Sequence, residues 1–253
     1  SLNPVTHRVE LDDGDAIMLH EDRPPTWSDS DRTALLIHGL AGCHESSYMQ
    51  RVAGKLVARG VNVFRMDMRG CGAGEGTASR TTHCGRSDDA AAVLKFIAGR
   101  YPQSSTVLVG FSLGGAIALN LVGELDNTRC GKLMRVIAVC PPIDLPANSR
   151  HFDRPLVRPY DAFFVRMLWG AALRRAKYLP AEPQIDLSRR PHRLRELDAL
   201  ITAPLGGFAS VDEYYVRASP GPKLANIRVP TAILAAADDP VITIDPLRNA
   251  VTS

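Results

Sequence analysis

The strongest chemical signal in the 253 residues is Gly110-Phe111-Ser112-Leu113-Gly114, with Gly115 directly behind it. It follows the apolar run Val107-Leu108-Val109 and precedes the helical pattern Ala116-Ile117-Ala118-Leu119. In that strand–turn–helix context G-x-S-x-G forms a nucleophile elbow, a strained turn that lifts the serine hydroxyl to the carboxyl edge of a sheet. The first turn of the following helix favours negative charge developing beside it. The chemistry expected of Ser112 is therefore attack on an acyl carbon. Outside such a context the same residues would be a glycine-rich turn with an incidental serine.

An acyl-transfer site also needs two N–H groups aimed at the oxyanion. Leu113, the residue after the nucleophile, supplies one. Leu40 is the natural second donor, because His38-Gly39-Leu40-Ala41-Gly42 ends the apolar strand Ala34–Ile37. His38 is expected to hold that loop by hydrogen bonding rather than to act as a base. The triad acid should follow a late strand. Asp239 fits best, after Ala232-Ile233-Leu234-Ala235 and just before Pro240, with Asp238 as the alternative and a solvated Asp-Pro turn as the plain reading. Asp67-Met68-Arg69-Gly70-Cys71-Gly72-Ala73-Gly74 invites a dinucleotide reading, but the third glycine of G-x-G-x-x-G falls on Glu75. A tight loop after a strand accounts for it better.

The elements that must position these residues are short branched apolar runs: Val5–Leu11, Ala16–His20, Ala34–Ile37, Val61–Met66, Thr106–Val109, Leu133–Val139 and Thr231–Ala235. Near-continuous runs such as Ala34-Leu35-Leu36-Ile37 suit strands covered on both faces. Helical patterns lie between them near Tyr48–Arg59, Asp88–Arg100 and Leu113–Leu125, the second expected to be capped by Ser87 and favoured by Asp88 and Asp89. This alternation is that of an α/β doubly wound, mostly parallel sheet. The rhythm breaks between about 143 and 222, where the chain is helical and Arg-rich. From Arg150 to Arg195 eleven Lys or Arg stand against four acids (Asp153, Asp161, Glu182, Asp186), and this basic face suits either solvent or an acidic lipid surface. Trp169, Phe163, Phe164 and Met167 are expected to pack this region onto the sheet or to line an acyl pocket.

Composition narrows the class further. Hydrophobic residues at 45% and charged residues at 23% exclude a disordered chain. A net charge of +3 and 6% aromatics offer no argument for nucleic acid. No run approaches the ~18 apolar residues of a membrane span, and no basic-then-apolar leader opens the sequence. Cys43, Cys71, Cys84, Cys130 and Cys140 are scattered without a CxxC pair, which reads as reduced thiols and a cytoplasmic protein. His83-Cys84 lacks the second pair that a structural zinc needs, so no metal is expected.

With these motifs in place the chain resembles the α/β-hydrolase superfamily, and within it the YheT-like esterase family, related to ABHD-type hydrolases of animals. The resemblance runs from Leu11-Asp12-Asp13-Gly14-Asp15 through the His38–Gly42 loop with Ser46 and Tyr48, Arg69-Gly70-Cys71-Gly72, His83 with Gly85 and Asp89, and Gly110–Gly115. It continues through Pro141-Pro142-Ile143-Asp144-Leu145, Thr202–Phe208, Tyr214–Ser219 and Ala237-Asp238-Asp239-Pro240. It implies carboxylester hydrolysis with Ser112 as nucleophile and Asp239 as acid, on small to medium acyl esters, lipid-like ones included. It implies neither cofactor nor metal, no nucleic-acid partner and no stable membrane insertion. Residues 1–142 and 223–253 are read as two parts of one core, and 143–222 as a helical cap inserted between them.

In such enzymes the catalytic histidine follows the final strand, but no His follows Asp239 in this chain. The expectation is that the fold lacks its C-terminal end here and that the base lies beyond Ser253. His7, His20, His44, His83, His151 and His192 are poorly placed to substitute. The rival readings are a non-catalytic binding protein on the same fold and an acyltransferase using the same nucleophile.

Overall fold

The structure is a computed structural model and describes residues 2–124, 131–178 and 185–250. Leu125, Cys130 and Glu182, used above, lie outside the described residues.

Seven strands form one sheet: β1 (Val5–Glu10), β2 (Ala16–Asp22), β3 (Thr33–Ile37), β4 (Asn62–Asp67), β5 (Thr106–Phe111), β6 (Leu133–Val139) and β7 (Thr231–Leu234). Their order is β1-β2-β4-β3-β5-β6-β7. The β1/β2 and β2/β4 pairs are antiparallel and the rest parallel. All seven strands read from the apolar runs are present, displaced by at most two residues at an end.

Side chains alternate across a strand, which explains why β3 is apolar throughout. Leu35 and Ile37 join a core with Leu108 and Val136 beneath α2 (Ser87–Arg100) and α3 (Leu113–Glu124). Ala34 and Leu36 point the other way, onto Met49 and Ala53 of α1 (Ser47–Val57). Both faces are therefore covered, as a doubly wound sheet requires. The capping role expected of Ser87 is not observed. Ser87 is the first residue of α2, and its hydroxyl donates instead to Glu124 Oε2 at 2.6 Å, because α3 lies alongside and offers a carboxylate.

Between β6 and β7 the described chain is helical: α4 (Leu145–His151), α5 (Arg158–Tyr178), α6 (Leu194–Leu197), a π-turn (Asp198–Thr202), α7 (Ala203–Gly206) and α8 (Val211–Ala218), then a short 3-10 stretch at Gly221–Asn226. A last turn, α9 (Asp245–Arg248), follows β7. The helical segment has its own apolar cluster, in which Val165 and Trp169 meet Leu197, Ile201 and Leu205. Trp169 thus packs this segment against itself and not onto the sheet, and Phe163 and Met167 face outward. Among the described residues no helix is long and apolar enough to cross a membrane. The four described cysteines, Cys43, Cys71, Cys84 and Cys140, are free thiols.

Candidate active site

Ser112 sits at the junction of β5 and α3 with φ +50°, in the left-handed region that costs a non-glycine residue roughly 1–2 kcal/mol. Its N–H donates to Val139 O at 2.8 Å, and its carbonyl accepts from Ala116 N at 3.0 Å, so the neighbouring strand and the helix fix it from both sides. Backbone contact makes the turn possible. A Cβ on Gly110 would lie 2.2 Å from Gly114 O, and one on Gly114 would lie 2.5 Å from Ile37 O. The two flanking glycines of the motif are thus demanded by close approach.

The loop after β3 comes up beside this turn. His38 is fully buried. Its Nε2 accepts from Met68 N at 3.2 Å, which leaves Nδ1–H to donate to Gly39 O at 2.8 Å. Burial pushes its pKa below the usual imidazole value, and the ring works as a neutral tie between the loops after β3 and β4. Gly39 N–H donates to Tyr48 Oη at 2.8 Å, while the Tyr48 ring stands edge-on to Phe111 with centroids 5.0 Å apart. A Cβ on Gly39 would lie 3.2 Å from Ser112 Cβ, so the two loops touch. The Leu40 and Leu113 amides take no part in the backbone bonds that hold these turns.

Leu40, Ser112 and Leu113 line one cavity of about 210 Å³, roofed by the helical segment through Phe152, Phe164, Tyr214 and Tyr215. A second chamber of about 110 Å³ shares Leu40, Leu113, Asp198 and Tyr214 with it and continues between α5 and the loop after β4. Phe164 lines the first chamber.

Asp198 stands at the partition, in the π-turn. Its carboxylate accepts from Thr202 Oγ1 at 2.6 Å and from Tyr215 Oη at 2.8 Å. Burial raises its pKa to about 6, against the opposing effect of those two hydroxyls. The native state therefore holds this proton more tightly than the unfolded chain does. Its stabilising effect is complete below the unfolded pKa near 3.8 and is lost as pH rises through about 6. The Asp198→Asn protein is expected to exceed the wild type in stability by about 2–3 kcal/mol at pH 8 and to gain nothing at pH 4. Urea midpoints at the two pH values check this, and equal gains at both would refute it.

Asp239 lies in the loop after β7, on the same edge of the sheet as Ser112, and is half-buried. Its Oδ1 accepts from Val241 N at 2.8 Å and Ile242 N at 3.0 Å, residues whose side chains line the Ser112 cavity. Cys140, the residue after β6, contacts the same carboxylate. Asp238 is exposed. None of the seven histidines lines the Ser112 cavity. His151 touches the acid's loop, with Nε2 3.2 Å from Pro240 O. His83 is buried against Phe208 and Tyr214, its pKa pushed down to about 3 by burial and by Arg86 and Arg69.

Two buried networks below the site had no signal in the local pattern. Arg69 binds Asp89 through Nε and Nη2 and reaches Asp13 at 2.7 Å and Asp15 at 2.5 Å through Nη1. Asp67 accepts from the His44 N–H at 2.6 Å and the Ala73 N–H at 2.9 Å, with His20 Nε2 at 3.1 Å and His44 Nδ1 at 2.7 Å. His20, His44 and Asp67 are the right types for a transition metal. Here both ring nitrogens reach the same Asp67 oxygen, Oδ2, and the two rings stack at 3.5 Å with planes 12° apart. As arranged, the three groups are a hydrogen-bonded clamp that ties the loop after β3 to the end of β4. The glycine-rich stretch 67–74 is accordingly a loop closed over buried acids and not a phosphate cradle.

A doubly wound sheet that presents serine on a left-handed strand-to-helix turn, beneath a helical segment, defines an α/β hydrolase. The chain belongs to the serine aminopeptidase S33 family of that fold, whose profile matches residues 28–253. It is 30% identical over 239 residues to the putative esterase YheT of Escherichia coli, an alignment covering 94% of this chain and 70% of that protein. It is 26% identical over 252 residues to the mouse phospholipase ABHD3, covering 93% and 59%. To the monoacylglycerol lipase of Saccharomyces cerevisiae it is 28% identical over 231 residues, covering 87% and 51%. The chain thus spans between half and three-fifths of these two eukaryotic relatives. Among solved structures, a puromycin hydrolase superposes with a TM-score of 0.64 at 18% identity, over 98% of this chain and 32% of that one. A Pyrococcus furiosus esterase gives 0.61 at 15%, over 98% and 76%. The structural neighbours support the fold, and the sequence relatives place the chain among esterase- and lipase-like hydrolases.

Proposed function

We propose that Ser112 is the nucleophile of a carboxylic ester hydrolase acting on small to medium acyl esters, lipid-like esters included. The observation that carries this reading is the left-handed serine at a cavity it shares with Leu40 and Leu113. In the proposed cycle Ser112 Oγ adds to the ester carbonyl carbon while its proton passes to an imidazole. The Leu40 and Leu113 amides hold the resulting oxyanion. The alcohol leaves with that proton, and water repeats the sequence to release the acid and regenerate the serine. Asp239 orients the imidazole. The helical segment 143–222 acts as the cap, and the two chambers beneath it hold the acyl chain. Since no histidine lines the cavity, the proposal assigns the base to sequence beyond Ser253; the alignment to the bacterial relative covers 70% of that protein.

The experiment is fluorophosphonate labelling of the 253-residue chain with and without added imidazole, which stands in for the missing base. Labelling that imidazole strengthens and Ser112→Ala abolishes is the expected result. Labelling that survives Ser112→Ala, or none under either condition, overturns it. The cavity without a histidine favours one other reading, a non-catalytic binding protein, and absence of labelling together with saturable ester binding would establish that. Competing alcohol acceptors in the turnover assay separate hydrolysis from acyl transfer.

A further inference from the structure

We propose that the outward face of α5 docks on an anionic lipid bilayer. Leu156, just before the helix, is 90% exposed, and Tyr160, Phe163 and Met167 are 41%, 55% and 44% exposed. Tyr160, Phe163 and Met167, three and four residues apart, lie along one side of the helix, and Leu156 sits in the turn that leads into it. The line is not a failed core face. A different side of α5 already buries Val165 and Trp169 against Leu197, Ile201 and Leu205, so the helix is anchored without it. Single exposed apolar residues are ordinary, but three along one helix side with a fourth in the turn before it mark a contact surface.

The charge around the line identifies what it meets. From Arg150 to Tyr178 there are seven Lys or Arg and two acids. One acid, Asp161, faces inward and is occupied by Arg193 at 3.2 Å and the Leu194 N–H at 2.8 Å, which leaves Asp153 as the outward one. Arg150, Arg154, Arg158 and Arg166 are exposed and have no ion-pair partner among the described residues. Apolar side chains in line with unpaired guanidiniums match an anionic bilayer, where the former enter the headgroup–acyl boundary and the latter meet phosphates. A second copy fits worse, because a two-fold contact would set this positive face against itself.

The aromatic groups also connect this surface to the interior. Phe163 contacts Phe164 with centroids 5.6 Å apart, Phe164 contacts Phe152 at 6.3 Å, and both Phe164 and Phe152 line the Ser112 cavity. Docking on α5 would therefore set the cavity's aromatic wall next to the lipid. The inference goes beyond the hydrolase reading, since adsorption to a bilayer needs no turnover.

The test is vesicle co-sedimentation of the 253-residue chain carrying Ser112→Ala, so that its outcome stands apart from any ester chemistry. Vesicles of phosphatidylcholine alone are compared with vesicles holding about 30% phosphatidylserine, at ~0.05 M and ~0.5 M salt. Binding is expected on the anionic vesicles at low salt and at least ~tenfold weaker on neutral vesicles or at high salt. Adding Leu156→Ser with Phe163→Ser, or Arg158→Glu with Arg166→Glu, should each weaken it by ~tenfold or more while leaving the melting temperature in place. No binding to anionic vesicles overturns the proposal, as does wild-type binding by both double variants. A dimer in solution that Phe163→Ser dissociates also overturns it, by showing that a second copy covers the face.

Discussion

Exchanging Ser112 for glycine is expected to abolish ester turnover and at the same time leave the protein more stable than exchanging it for alanine. Elsewhere the order is the reverse, because glycine loses more backbone freedom on folding and costs roughly 0.5–1 kcal/mol relative to alanine. At φ +50° the sign changes. Alanine keeps the Cβ that makes the left-handed region unfavourable by roughly 1–2 kcal/mol, while glycine removes that strain. Both variants lack the hydroxyl, so the imidazole-assisted turnover proposed for this chain should disappear in each, leaving only what the oxyanion donors and binding supply. Paired urea titrations with an ester assay check the prediction. Glycine less stable than alanine would mean that the turn is not strained, and the nucleophile-elbow reading would lose its physical basis.

That strain explains which parts of the molecule could be read from sequence. β3 was legible because both its faces are buried, and β5 because one face is buried and the other half-covered, so almost every residue in them is apolar. The elbow was legible because Gly110 and Gly114 sit where a Cβ would strike backbone carbonyls, leaving a mark in residue type. His38 could be assigned a tying role because it sits at a strand end whose neighbour must be held. Legibility ended where partners lie far apart in the chain. Arg69 meets Asp15 across 54 positions and Asp67 meets His20 across 47, and no helical or strand period records such pairs. The helical segment was legible as an interruption of the strand rhythm, but not in detail. Its π-turn at Asp198–Thr202, the alternation of Phe163 outward with Phe164 inward, and the self-packing of Trp169 all depend on how short helices stack against each other. Ser87 shows the opposite error: a good capping residue by type was claimed by a carboxylate on the adjacent helix.

The largest effect on stability is expected from Arg69→Met. The guanidinium is almost wholly buried and joins three chain segments: the β1–β2 turn through Asp13 and Asp15, the loop after β4, and α2 through Asp89. Burial tends to raise the pKa of Asp15, but the Ser79 and Arg80 N–H groups and Arg69 together hold it below its usual value. Asp13 behaves likewise, held down chiefly by Arg69 against the effect of burial. For Asp89 burial outweighs Arg69, and its pKa is raised. A thioether of similar length keeps the volume and leaves the buried Asp15 and Asp89 without their cation, while Asp13 retains Arg80 at 3.7 Å. Breaking such a buried pair from one side costs about 3–5 kcal/mol, far more than the intact pair contributes net. In the wild type the depressed acids stabilise the fold above pH ~3.8, and this contribution is lost as pH falls through their lowered values. In the variant Asp15 and Asp89, buried and without Arg69, must be protonated to be tolerated. The gap between the two proteins should therefore be widest at pH 7.5 and narrow by at least half toward pH 4.5. Arg69→Lys should recover only part of it, because an ammonium cannot reproduce the fork that spans Asp89 and the β1–β2 turn. Since Arg69 also lines the smaller chamber, the pocket proposed for the acyl chain should loosen in Arg69→Lys, raising the KM of imidazole-assisted turnover more than it lowers kcat. A gap of constant size across that pH range would show that the carboxylates are solvated when the arginine is gone, and that the network is not the staple that holds these three segments together.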